Sequence, residues 1–135
     1  MHLIQYATEA DGPALGKVNV QSFQARFALR AIFPESSQTV LQEYKTHVGM
    51  KHLANPNMHV LKIHNPDGEL VAYGRWQLPD SFGQSQVTLS EKASLAAKDP
   101  LVYAPKPMNE KVYKVFKKIL EDARKQYTGE DDIRE

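Results

Sequence analysis

Aromatic and basic side chains alternate in one short stretch of this sequence, between residues 23 and 34. The stretch holds three phenylalanines, two arginines and a closing proline: Phe23, Arg26, Phe27, Arg30, Phe33 and Pro34. A bend lined by aromatic rings could hold a small apolar ligand. The alternative is that the phenylalanines belong to the core and that the arginines are solvated or paired.

A second aromatic and basic pair, Arg75 and Trp76, falls in a segment with the pattern of a β-strand. The indole of Trp76 could form a platform for a ligand, but tryptophan is more often a core or interface residue. Both roles stay open on the sequence alone.

The histidines do not have the spacing of a metal site. His47 and His52 are five residues apart, whereas ligands on one helix face are separated by three or four residues. His59 and His64, also five apart, point to opposite faces of a strand. No carboxylate pattern completes either pair, and the sequence contains no cysteine, so we expect no metal site and no disulfide.

The glycines do not form a phosphate-binding turn. Turns of that kind place free backbone N–H groups and the positive end of a helix dipole against an anion. None of the seven glycines belongs to a G-x-G or G-x-x-x-x-G-K turn after a strand. The sequence therefore shows no cradle for the diphosphate of a nucleotide cofactor.

The charges are nearly balanced, with 17 basic and 16 acidic residues and a formal net charge of +1. This balance argues against a large electrostatic footprint for nucleic acid or anionic membrane. The longest apolar runs are only a few residues long, and the N-terminus lacks the apolar region of a signal peptide. We therefore expect a soluble cytoplasmic protein that binds neither nucleic acid nor membrane.

The elements that position these residues begin with a short strand at residues 3–6, in which Leu3 or Ile4 is expected to face the core. Thr8 and Asp11 then have the spacing of a helix N-cap with a reciprocal carboxylate. A first helix is expected to follow this cap.

Two longer helices are predicted further along the chain. One begins at Ser36 or Ser37 and ends near Asn55. The other begins at Asn109 and is amphipathic, with lysines on its outer face. Its apolar face consists of Val112, Val115, Phe116, Ile119, Leu120 and Ala123.

An antiparallel hairpin is predicted between these two helices. Residues 58–63 and 69–78 are β-like runs, and the turn between them contains Asp67 and Gly68. Gly74 in the return strand suggests a bulge or a close backbone approach. Residues 79–107 form a long connection with little pattern, which is typical of functional or mobile segments, and a short helix within it is an open alternative.

Together these elements predict an α+β fold. The predicted order is a short N-terminal strand, two helices, an antiparallel hairpin, a long loop and a C-terminal amphipathic helix. We expect one domain over residues 1–130 and an acidic tail at residues 131–135.

Several segments resemble acetyl-CoA-dependent N-acetyltransferases of the GNAT superfamily, especially fungal members. Residues 7–15, ATEADGPAL, are similar to the family's opening A-T-x-x-D-x-P-A-L. Residues 67–76, DGELVAYGRW, resemble its hairpin G-x-I/V-V-G-F/Y-x-x-W. The bend at residues 23–34 is similar to the family's two-helix entrance, and residues 122–129 resemble the helix end that precedes its central strand.

The resemblance implies a GNAT-like fold that is truncated before the central strand and the pyrophosphate-binding turn. Complete relatives transfer an acetyl group from acetyl-CoA to an amine, and their central strand supplies the polarising N–H and often the base. No catalytic residue is therefore assigned, and we expect this chain to bind no cofactor and to lack activity alone. An early stop, a split gene model or a lineage that lost catalysis would each account for the truncation.

The resemblance also implies where a small-molecule amine acceptor would bind, because the bend commonly lines the acceptor pocket. The implied substrate-binding residues are Phe23, Arg26, Phe27, Arg30, Phe33, Arg75 and Trp76.

A non-catalytic role, as a ligand-binding or dimerising module, is the alternative. Without a central neighbour, the predicted strand at residues 70–78 would expose a row of unpaired N–H and C=O groups. We therefore expect a homodimer through this edge, a covering of the edge by residues 80–107, or poor solubility.

Overall fold

A computed structural model of the protein describes residues 3–23 and 27–127, with positions 23 and 27 described by their backbone alone. These residues form five α-helices and a three-stranded antiparallel sheet, so the predicted α+β class is confirmed. The strands are β1 (Leu3–Tyr6), β2 (Met58–His64) and β3 (Leu70–Gln77). The helices are α1 (Gly12–Phe23), α2 (Phe27–Ile32), α3 (Gln38–Ala54), α4 (Glu91–Lys98) and α5 (Glu110–Tyr127).

Side-chain caps fix where the helices begin. The Asp11 carboxylate accepts a bond from the Thr8 backbone N–H at 2.8 Å, so the predicted reciprocal bond is present. The Ser37 hydroxyl oxygen accepts from the backbone N–H of the third residue after it, at 3.3 Å, and Ser90 does the same at 3.2 Å at the start of α4. The cap at Ser90 decides the open alternative in residues 79–107 in favour of a short helix.

The sheet has the order β1-β2-β3, and the predicted hairpin of β2 and β3 is confirmed. A bulge lies at Val71, which is skipped between the pairs Ile63–Ala72 and His64–Leu70. Gly74 is in regular register instead. A Cβ built on Gly74 would lie 3.4 Å from the indole Nε1 of Trp76, so a side chain, and not another backbone, approaches this glycine.

The described α-helices pack on one face of the sheet. Val60 of β2 is 3% exposed and lies in a cluster with residues of α1, α3 and α4. The buried members of this cluster are Ala7, Leu15, Met50, Leu53, Val60, Leu70, Ala93 and Ala96. A second cluster joins α1, α2 and α3 to the start of α5, and its buried members are Val20, Ile32, Phe33, Leu41, Tyr44 and Ala104.

The first strand does not bury its apolar side chains. Leu3 is 52% exposed and Ile4 is 64% exposed, so the expectation that one of them faces the core is wrong. Ile4 lies on the sheet face that no described helix covers, and Leu3 lines a groove with Lys62 and His64 at the edge of the sheet. Alternation predicts which residues share a face, but it does not say which face the helices cover.

The last helix has the predicted amphipathic pattern but buries none of its residues. Its contact with the rest of the protein is through its first turn, where Val112 and Tyr113 pack against the second cluster. The remaining apolar positions are exposed, among them Val115 at 54% and Ile119 at 60%. The acidic tail and Gly129 lie outside the described residues. Within the described ranges, none of the helices is both long and apolar enough to span a bilayer.

Candidate functional site

The described residues among those predicted to line an acceptor pocket lie in different surroundings. Arg26 and the side chains of Phe23 and Phe27 lie outside the described residues. Arg30 is exposed in the last turn of α2. Phe33 is 5% exposed and packs edge-to-face on Tyr44 with ring centroids 5.4 Å apart, which makes it a residue of the second cluster.

Arg75 and Trp76 point to opposite sides of the sheet, because successive residues of a strand alternate. Arg75 pairs with Val60 and faces the helices, whereas Trp76 pairs with His59 on the other face and is 41% exposed. The two residues therefore cannot line one pocket in this chain.

Polar side chains from three elements contact one another where β3 faces α1 and α3. The Tyr73 hydroxyl accepts a bond from the Asn19 side-chain N–H at 2.8 Å, which ties β3 to α1. Two residues further along β3, the Arg75 guanidinium donates to Nε2 of His52 on α3. Tyr73 and Arg75 thus present a phenol and a guanidinium on the helix-facing side of the same edge strand.

Two lysines add to the charge around Arg75. Lys45 lies two helical turns before His52 on α3, on the same helix face, and Lys117 is on α5. Burial and then the charges of Arg75 and Lys117 lower the pKa of Lys45 below its usual value of 10.5. Arg75, Lys45 and Lys117, with neutral His52, are called the cationic cluster below.

His52 is the residue most affected by this environment. Burial, followed by the positive charges of Arg75, Lys51, Lys45 and Lys117, lowers the pKa of His52 from 6.5 to about 3. The imidazole is therefore neutral at physiological pH, and its Nε2 accepts the Arg75 bond.

Sequence reasoning missed Asn19, Lys45, His52 and Lys117 as members of a site. In the sequence, His52 suggests only a metal pair with His47, and the spacing of five residues argues against that pair. One usable signal was the seven-residue separation of Lys45 and His52, which places both on one face of a helix. The contact of that face with Arg75 depends on how α3 crosses β3, and no local pattern encodes this crossing.

The other histidines make separate contacts. His47 stacks on Tyr103 with ring centroids 4.0 Å apart. His59 is buried, with Nδ1 in contact with the Tyr6 hydroxyl at 2.9 Å and Nε2 with the Gly83 carbonyl at 3.2 Å. In the part of the chain that the structure describes, no three metal-ligating side chains come together.

The outer edge of β3 carries unpaired backbone groups. The Leu78 N–H bonds to the Asn57 carbonyl at 2.9 Å, so every second residue back from Leu78 also faces β2. The N–H and C=O groups of Tyr73, Arg75 and Gln77 therefore point away from β2. No backbone hydrogen bond from a described residue reaches them. The helix within residues 80–107, α4, packs onto α3.

Comparison with known proteins finds no matching protein family, no matching curated protein and no matching solved structure. The site is therefore interpreted from its own geometry and chemistry.

Proposed function

We propose that this chain forms the acceptor-binding part of a GNAT-type N-acetyltransferase, which transfers an acetyl group from acetyl-CoA to an amine. The observation that carries the proposal is the unpaired outer edge of β3, directly beside the polar side chains of Tyr73 and Arg75. In the GNAT pattern that the sequence resembles, the strand that grips the cofactor pairs at this position. The element order also supports the proposal, since a strand, helices and an antiparallel hairpin follow one another as that pattern requires.

The division of labour follows from the chemistry of acetyl transfer. The reaction needs a deprotonated amine, a polarised thioester carbonyl and a short approach between the two. Asn19, Tyr73 and Arg75 offer polar groups that can hold and orient an acceptor. His52, with a pKa of about 3, is too weak a base to take a proton from an ammonium group at neutral pH. In the GNAT pattern that the sequence resembles, the central strand supplies the polarising N–H and often the base, so the proposal assigns both to the cofactor-binding part.

A fusion supplies the positive test of this proposal. The central strand, glycine-rich turn and following helix of a complete GNAT enzyme would be joined after Tyr127. Calorimetry is expected to show acetyl-CoA binding to the fusion and no binding to the unfused chain. Release of the coenzyme thiol in the presence of primary amines would then report acetyl transfer.

The matched control is the same fusion protein with the substitution Gln77→Pro. Proline removes a backbone N–H that points away from β2 and leaves the hydrogen bonds between β2 and β3 intact. The substituted fusion is expected to lose acetyl-CoA binding. Micromolar binding of acetyl-CoA to the unfused chain would contradict the proposed division of labour, and so would equal binding by the two fusions.

A dimerising module is the second candidate function, and a different observation favours it. The sheet face opposite the helices exposes large apolar side chains, with Trp76 on β3 at 41% and Ile4 and Tyr6 on β1, at the other edge of the sheet, at 64% and 52%. An exposed edge and an apolar face together are the features through which sheets self-associate.

Hydrogen exchange combined with light scattering separates the two candidate functions. If the edge is open in a monomer, the amides of Tyr73, Arg75 and Gln77 exchange quickly, whereas those of Gly74 and Trp76 are protected by β2. The acetyltransferase proposal predicts this pattern, together with the molar mass of a monomer, because the edge is then kept for the cofactor-binding part. Protection of all five amides at twice the monomer mass would favour the dimerising module.

A further inference from the structure

The cationic cluster brings three positive groups together from three separate elements: Lys45 from α3, Arg75 from β3 and Lys117 from α5. Lys45, His52 and Arg75 are half-buried, and Lys117 is exposed at the margin. Arg75 bonds to Nε2 of His52, and Lys45 lies two turns before His52 on the same face of α3. The charges of Arg75 and Lys117 both act on Lys45 and on His52.

No described carboxylate neutralises this cluster. Ion pairs form between Lys62 and Asp11, Lys106 and Glu110, and Lys118 and Asp122. Within the described ranges, none of Lys45, Arg75 and Lys117 belongs to such a pair. Half-buried cations are ordinarily paired, since removing a charge from water costs free energy that only a counter-charge offsets. Holding three like charges together adds repulsion to that cost.

We propose that the cationic cluster binds an oxyanion group, a carboxylate or a phosphate, carried by the amine acceptor. The assignment of this group to an acceptor rests on the proposed acetyltransferase function, whereas oxyanion binding by the cluster does not. The acceptor class is therefore a small acidic amine, such as an amino acid or a phosphorylated amine.

The composition of the cluster fits an oxyanion. The Arg75 guanidinium is planar and matches the two oxygens of a carboxylate or phosphate, and the two ammonium groups add point charges. Arg75 also bonds to neutral His52, which fixes the guanidinium without neutralising it. The Tyr73 hydroxyl lies two residues before Arg75 on the same side of β3 and bonds to Asn19 of α1. These two side chains provide neutral polar groups for the uncharged part of the acceptor.

The test measures binding of inorganic phosphate and of succinate at constant ionic strength, with the pKa of His52 followed by NMR. A bound oxyanion is expected to raise the His52 pKa from about 3, because it offsets the surrounding positive charge. Lys45→Met and Lys117→Met are expected to weaken binding by about tenfold each. Tighter binding of phosphate than of succinate would indicate a phosphorylated acceptor, and the reverse order a carboxylated one.

Lys114→Met is the matched control, since Lys114 is exposed on the same helix as Lys117 and does not act on His52. The Lys114→Met variant is expected to bind phosphate and succinate with the affinity of the wild type. Without ligand, Lys45→Met should melt at a higher temperature than the wild type, because it removes a half-buried charge that contacts the Tyr44 ring but has no described carboxylate partner. The proposal would be overturned if all the variants bound phosphate and succinate as tightly as the wild type. It would also be overturned if phosphate changed the His52 pKa no more than chloride does. Failure of the fusion to bind acetyl-CoA would refute the acetyltransferase function and leave this result standing.

Discussion

Replacing Gly16 with alanine is expected to lower the free energy of unfolding by about 2 kcal/mol, because α1 and α3 touch at this glycine. A Cβ at position 16 would lie 2.7 Å from the backbone oxygen of Gln42 and 2.9 Å from the Thr46 hydroxyl. The first of these contacts is with backbone, so one helix must move away from the other. Urea denaturation followed by circular dichroism measures the change.

Gly49→Ala is the matched control, because it makes the same chemical change within α3. A Cβ at position 49 would meet no atom within 4 Å, so only helix propensity changes. Alanine is expected to stabilise the protein there by about 0.5–1 kcal/mol. If Gly16→Ala were as stable as Gly49→Ala, the two helices would not be in contact at Gly16.

Lys62→Met is expected to be the most costly exchange of a charged side chain, at about 3 kcal/mol. The Lys62 ammonium lies 2.8 and 2.7 Å from the two oxygens of Asp11. The side chains are only 13% and 14% exposed, so removing the lysine leaves a nearly buried carboxylate without its counter-charge. The double variant Asp11→Asn/Lys62→Met should be more stable than Lys62→Met, because asparagine carries no charge and keeps an acceptor for the Thr8 N–H.

The cost of Lys62→Met should also depend on pH. Burial raises the pKa of Asp11, but the bonds from Lys62 and Thr8 and the charge of Lys62 outweigh it, so the net pKa lies below the usual 3.8. A carboxyl group with a lowered pKa stabilises the fold above its unfolded pKa and loses that contribution as pH falls through its folded pKa. Lys62→Met removes this contribution, so its cost should be largest at neutral pH and should shrink below about pH 4. A cost that is small and independent of pH would show that water screens the pair.

Local patterns in the sequence predicted the elements with short-range causes. The hairpin follows from two β-like runs around Asp67 and Gly68, and Gly68 has the positive φ of 83° that this turn requires. The cap at Ser37 follows from a hydroxyl side chain before a helical run. Each of these signals acts within a few residues, so no knowledge of the rest of the chain was needed.

Bulge position depended on longer-range pairing. The bulge suggested at Gly74 lies in the same strand but at a different residue. The position of a bulge depends on the register of two strands and not on one residue type. The register of β2 and β3 places the extra residue at Val71, next to the turn.

The candidate site was the part least accessible from the sequence. Arg75 was chosen as a possible ligand-binding residue, but Trp76 beside it lies on the opposite face. Lys45, His52 and Lys117 come from helices that are distant from β3 along the chain, and each of them alone resembles an ordinary residue of a solvated face.

The sequence by itself determined the α+β class, the hairpin, the helix caps and the amphipathic character of the last helix, because propensity, capping and periodicity act over short distances. Only the tertiary structure decided which sheet face is covered and that the apolar side of α5 is mostly exposed. It also decided that Lys45, Arg75 and Lys117, which have no described carboxylate partner, act on one another's surroundings. These features depend on where α1, α3 and α5 lie against the sheet. That arrangement is a property of packing between distant segments, and no single segment encodes it.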